Sequence, residues 1–115
     1  MAELTPRGVL VSVDDLDAAL QLYQGILGMS VDFRDGAHFA QLSKDGFRIS
    51  LATADDHPAP GSTALMVKSD HVAEAVGQLE MAGGEVLVVP AEGRDEVRGV
   101  VRMPGGGVLV VYGAA

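Results

Sequence analysis

The 115-residue chain has no cysteine and no tryptophan, only two tyrosines and three phenylalanines, and 8 Lys and Arg against 16 Asp and Glu. Without cysteine there can be no disulfide, no thiolate zinc site and no cysteine nucleophile; this fits the cytoplasm, the expected location. The net charge of −8 works against nucleic acid, which is bound by neutralising phosphates with Lys and Arg, and against an anionic membrane surface. Neither is an expected partner. So few aromatic residues argue against a broad aromatic binding platform. No apolar run nears the ~20 residues that span a bilayer, and Met1–Arg7 lacks the pattern of a signal peptide. A chain that is 48% hydrophobic is too apolar to stay disordered. Its length suits one domain, residues 1–115, with a core of its own.

The segment Gly8–Val13 is short, apolar and β-branched and reads as a buried strand. Asp14 and Asp15 follow as a helix cap, with Asp17 adding negative charge to the first turn. Leu16, Ala19, Leu20, Tyr23 and Leu27 recur at helical spacing until Gly28 ends the helix. Met29–Arg34 and Ala37–Ser43 read as strands joined at Asp35-Gly36, and Asp45-Gly46 is a strong hairpin signal leading into the strand Phe47–Thr53. Residues 54–61, with two prolines and a glycine, read as a linker.

The same order then restarts. Thr63–Lys68 is a strand, Ser69-Asp70 a cap, and Val72, Ala75, Val76 and Leu79 a helical stripe ending at Gly83-Gly84. Val86–Val89, Val97–Met103 and Val108–Tyr112 are strands, the last two joined by Gly105-Gly106-Gly107. Asp14 and Asp70 stand 56 residues apart, as do Gly28 and Gly84. A supersecondary unit used twice is the chain's most informative feature. The expected fold is α+β: two βαβββ modules, about 7–53 and about 62–113, forming a curled, barrel-like mixed sheet with its helices outside.

The run Val13-Asp14-Asp15-Leu16-Asp17-Ala18-Ala19-Leu20, followed by Tyr23 and Leu27-Gly28-Met29, resembles the vicinal oxygen chelate superfamily of glyoxalases, bleomycin resistance proteins and extradiol dioxygenases. The resemblance covers nearly the whole chain. It implies a cavity formed by the paired modules, often completed in a homodimer, and metal ligands, usually His or Glu, at four equivalent strand positions. Those positions correspond here to Gly8, Ser50, Ala64 and Val110. Metal sites need imidazole, carboxylate or thiolate donors, which this set lacks. Neither a metal nor any other cofactor is expected, and the missing donors weigh against an enzyme.

Strand alternation gives an independent view of the cavity. If Gly8 faces it, so do Leu10 and Ser12, while Val9, Val11 and Val13 face the helix. By the same parity Arg48, Ser50 and Ala52 face inward and Phe47, Ile49 and Leu51 face the helix. In the second module Ala64, Met66, Lys68, Val108, Val110 and Tyr112 face inward. Apolar surface with a few placed polar groups suits a small organic ligand, so the candidate ligand-binding residues are Leu10, Ser12, Arg48, Ser50, Met66, Lys68, Val110 and Tyr112. Lys and Arg stems on such a face also suit a filled interior or a dimer interface.

No catalytic set is expected. His38 opens a strand with no evident carboxylate partner and is the sole candidate acid or base. His57 reads as solvated in its loop and His71 as exposed on the second helix. Arg94, Asp95, Glu96 and Arg98 read as a solvated strand edge, and Gly105-Gly106-Gly107 precedes a strand, which argues against a phosphate cradle. The resulting expectation is a metal-free, small-molecule-binding homodimer; by resemblance to the bleomycin-resistance branch, it would sequester a toxic or antibiotic-like compound. The alternatives are a glyoxalase- or dioxygenase-like enzyme, using non-standard ligands or His38 as a metal-free base, and a structural or regulatory dimer.

Overall fold

The computed structural model describes residues 2–93 and 95–114; Met1, Arg94 and Ala115 lie outside the described residues. The chain divides into two compact units, one of Gly8–Thr63 and the other of the remaining residues at both ends. Each is a four-stranded mixed sheet with one helix packed on it. The architecture is therefore the α+β repeat of βαβββ modules that the pattern predicts. No helix among the described residues is long and apolar enough to cross a membrane.

In the first module, β1 (Thr5–Ser12), α1 (Leu16–Gly25), β2 (Ser30–Asp35), β3 (Phe39–Lys44) and β4 (Phe47–Ala52) follow in order. The sheet runs β2-β3-β4-β1, antiparallel except where β4 meets β1 in parallel, with Leu10 opposite Ser50. Asp15 caps α1, its side chain accepting the Ala18 N–H at 3.1 Å, so one of the otherwise orphaned first-turn donors is satisfied. Replacing Asp15 with alanine is expected to lower stability by about 1 kcal/mol, read as a shift of the urea midpoint at unchanged slope.

Leu16 and Leu20 of α1 pack with Met29, Ala40, Leu42, Ile49 and Leu51, and Val9, Val11 and Val13 close the cluster. The helix is shorter than its apolar spacing predicts. It ends at Gly25, and Gly28 takes a left-handed φ of 69°, which costs a glycine little. The chain turns there, so that Met29 enters the core while Leu27 is 52% exposed.

The second module holds β5 (Thr63–Lys68), α2 (Val72–Met81), β6 (Glu85–Glu92), β7 (Glu96–Arg102) and β8 (Val108–Ala114), in sheet order β5-β8-β7-β6. Val72, Ala75 and Val76 pack on Val101 and Val111, and Ala2 and Leu4 from the start of the chain join this cluster. The backbone N–H of Ala2 donates to Gln78 Oε1. The cap differs from the expected Ser69-Asp70. The N-cap position is His71, with no side-chain cap bond, and Ser69 instead turns its hydroxyl back to accept the His71 N–H at 3.1 Å.

The repeat holds in register. Leu10 lies opposite Ser50 in the first module, and Met66 lies opposite Val110 in the second. Each module also carries a bulge in its second strand, between Val31 and Phe33 and again between Val86 and Val88. A bulge inserts one residue and resets which face the following side chains take.

Candidate functional site

Pairing fixes the faces without reference to any ligand, because directly opposed residues on neighbouring strands share a face. In the first module, Val9, Val11, Ala40, Leu42, Ile49 and Leu51 lie on the α1 side. The far face is therefore Leu10 and Ser12 of β1, Arg48, Ser50 and Ala52 of β4, and Phe39, Gln41 and Ser43 of β3, with Gln41 opposite Ser50 and Ser43 opposite Arg48. At its centre Leu10, Ser50 and Ala52 are buried, while Ser12, Phe39, Gln41, Ser43 and Arg48 are partly exposed. The Ser12 hydroxyl accepts the Gly61 N–H at 2.9 Å and so holds the linker segment against the end of β1.

Phe33 reaches this face because of the bulge. Without it, Phe33 would oppose Ala40 and point towards α1. With Asp32 inserted, Phe33 opposes Gln41, and its ring stands 6.2 Å from that of Phe39, tilted by 55°, within the favourable range for an aromatic pair. Asp32 is held by the Ser43 hydroxyl, which donates to its carboxylate at 2.9 Å. The next residue, Arg34, returns to the helix side, where its Nη2 meets Asp17 Oδ1 at 2.6 Å. Phe33, Phe39 and Gln41 were not among the residues that sequence parity selects. Phe39 and Gln41 could have been found by extending the alternation to β3, whereas Phe33 could not, since the bulge depends on the pairing partner.

In the second module, Val97, Val101 and Val111 lie on the α2 side. The far face carries Met66 and Lys68 of β5, Val108, Val110 and Tyr112 of β8, and Arg98, Val100 and Arg102 of β7. Ala64, Val100 and Val110 are buried; Met66, Arg98 and Tyr112 are partly exposed and Lys68 is exposed. Arg98 does not lie on a strand edge, because β7 runs between β6 and β8. Arg94, read in the same charged run, lies outside the described residues.

The histidines differ from their sequence reading in two places. His38 does have a carboxylate partner, its Nδ1 standing 3.4 Å from Asp55 Oδ2, with both side chains more than half exposed. An imidazole so placed is well solvated. His57 is buried, and its Nδ1 accepts the Ala59 N–H at 2.9 Å. That bond needs a lone pair on Nδ1 and so assigns the neutral ring with its proton on Nε2. The sequence reads His57 as solvated because Asp55, Asp56 and the prolines mark a surface loop, but the residue is buried within it. His71 is exposed, as expected.

Gly8, Ser50, Ala64 and Val110 occupy equivalent strand positions of the two modules, and one hydroxyl is the only side-chain donor among them. In addition, the backbone oxygen of Arg48 comes so near Gly8 that even a Cβ there would stand at 3.0 Å. The residues present do not fit a divalent metal, which takes imidazole, carboxylate or thiolate ligands.

A sequence model of the Glyoxalase/Bleomycin resistance protein/Dioxygenase superfamily matches residues 7–111. An uncharacterized protein of Mycolicibacterium smegmatis is 37% identical over 90 residues, which cover 78% of this chain and 77% of that protein. Among solved structures, a chain described as an NAD-dependent benzaldehyde dehydrogenase from Legionella pneumophila aligns with a TM-score of 0.80 at 17% identity, covering 93% of this chain and 97% of that one. A member of the same superfamily from Vibrio splendidus 12B01 aligns with a TM-score of 0.69 at 12% identity, covering 98% and 99%. At such identities the structural likeness speaks for the fold.

Proposed function

Since the chain belongs to the glyoxalase/bleomycin resistance protein/dioxygenase superfamily, we propose that it uses this fold to bind a small organic molecule without a divalent metal at the four equivalent positions. One observation carries the reading: the two sheet faces of the first module differ in chemistry. The helix side is wholly apolar at its core. The far side sets Leu10, Phe33 and Phe39 beside the amide of Gln41, the hydroxyls of Ser12 and Ser50 and the guanidinium of Arg48. Apolar contact with a few fixed polar groups is how small-molecule sites obtain affinity and orientation together. Arg48, partly exposed at the border of this face, would engage an anionic or polar group of the ligand. Sequestration of a toxic compound by a homodimer is the physiological form this reading takes.

The test has two parts. Protein purified without chelators and then exposed to Ni²⁺, Zn²⁺, Fe²⁺ and Mn²⁺ is expected to retain far less than one ion per chain. One tightly held ion per chain would overturn the reading. A thermal-shift screen of small aryl and alkyl acids, amines and neutral compounds should then yield a ligand. Arg48→Ala is expected to weaken its binding about tenfold, the usual loss for one hydrogen bond to a charged group, and calorimetric titration measures the change.

A further inference from the structure

We propose that Lys68, Tyr112 and Arg98 form an oxyanion-binding row on the far face of the second module, and that the row takes a small carboxylate with an apolar body. This deepens the function proposed above and rests on its premise that the far faces bind ligands. The row follows from register. Lys68 on β5 opposes Tyr112 on β8, and Tyr112 opposes Arg98 on β7. Three neighbouring strands therefore present cation, phenol and cation in line on one face. With strands about 4.8 Å apart, the two cationic residues start about 10 Å apart at their Cα atoms, and their long stems can converge above the phenol. The backbone braces the row, since the Ser69 N–H donates to the Tyr112 carbonyl at 2.9 Å.

The next row on the same face is Met66, Val110 and Val100. It lies two residues along each strand, about 7 Å away, and is wholly apolar, with Val100 and Val110 fully buried. A ligand lying along the strands would meet positive charge and a hydroxyl at one end and the partly exposed thioether of Met66, backed by the two buried valines, at the other. This division specifies the class. A bare inorganic anion would use only the first row, and an apolar amine would meet like charge. In a chain of net charge −8, two cations in line with a phenol between them are a local departure from the general field. Glu96 stands beside the row, its Oε1 3.8 Å from Arg98 Nε, and an incoming carboxylate would compete with it for the guanidinium.

The experiment is a titration of the full chain with phenylacetate, followed by ¹⁵N–¹H NMR, with inorganic phosphate and phenethylamine as comparators. Phenylacetate is expected to shift the amide signals around Lys68, Arg98 and Tyr112 and to bind at least tenfold more tightly than either comparator. Lys68→Met and Arg98→Met should each weaken it about tenfold, and added salt should weaken it further, as screening predicts. Lys68 is exposed, so its variant tests the charge without disturbing the core. Glu96→Gln removes the competing carboxylate and should tighten binding a few-fold. Phosphate or the amine binding as well as phenylacetate would overturn the proposal, as would unchanged affinity in the Lys68 and Arg98 variants. Shifts confined to the first module and abolished by Arg48→Ala alone would also overturn it while leaving the broader binding function standing. If no variant and no wild-type protein responds to phenylacetate, the row is wrong, and the wider screen decides the broader reading separately.

Discussion

Gly113→Ala is expected to cost at least about 4 kcal/mol, the exceptional range that overpacking against a fixed obstacle can reach. A Cβ at Gly113 would fall on the carbonyl oxygen of Ser69, with the Ser69 carbonyl carbon at 3.1 Å and Val72 Cγ2 at 3.2 Å. A flexible side chain could yield, but this obstacle is backbone. Ser69 is buried and its own N–H is engaged by the Tyr112 carbonyl, so moving it would disturb β5, β8 and the start of α2 together. The backbone of Gly113 is not left-handed, so the effect isolates close approach from conformational strain. Gly107→Ala is the control, since nothing lies within 4 Å of a Cβ there, and it should stay within about 0.5 kcal/mol of wild type. Urea unfolding measures both. Near-equal midpoints for the two variants would disprove the close approach.

Leu51→Ala is expected to cost about 2–5 kcal/mol, the range for emptying a packed leucine site. Leu51 is wholly buried and lies among Leu16, Leu20, Ala40, Leu42 and Ile49, where α1 meets the middle of its sheet. The loss combines the transfer free energy of the three carbons removed with the cavity that rigid neighbours cannot fill. Leu27→Ala is the matched control, because Leu27 is 52% exposed despite falling on the apparent helical stripe. It should change stability by about 0.5 kcal/mol or less. Equal losses in the two variants would contradict the turn at Gly28 that separates their fates.

The residues that reveal the fold are those whose meaning is local. Asp15, the helical spacing of Leu16 and Leu20, the Asp45-Gly46 hairpin and the interval of 56 residues between corresponding signals require no knowledge of pairing, and they lead to the βαβββ repeat. Face assignment by alternation also succeeds wherever strands run without interruption. Val9, Val11, Ile49 and Leu51 do pack on the helix side, and Leu10, Ser50, Met66 and Val110 fall on the other.

Alternation fails where the backbone slips by one residue. Nothing in Ser-Val-Asp-Phe-Arg announces that Asp32 is the extra residue, because a bulge is a relation between two strands. Phe33 is accordingly hidden from a one-strand reading. Arg98 is missed for a similar reason: its charged neighbours suggest an edge, and only the order of strands shows that β7 has one on either side. His57 is buried in a segment that Gly61 ties to Ser12, partners 49 residues apart with no shared pattern in sequence.

The packing of Ala2 and Leu4 with α2 bears on how the chain folds as it is made. Residues 8–63 leave the ribosome with every strand and helix of the first module in hand, so that module can consolidate early. Ala2 emerges ahead of that module, yet its partner Gln78 follows 76 residues later. The entropy of closing so long a loop is higher than for any contact within a hairpin, though it grows only slowly with length, and such non-local contacts slow folding. The segment around Ala2 is thus made before the first module and placed only after α2 has been made. A bulky substitution at Ala2 would interfere chiefly with the module that lies farther from it in sequence.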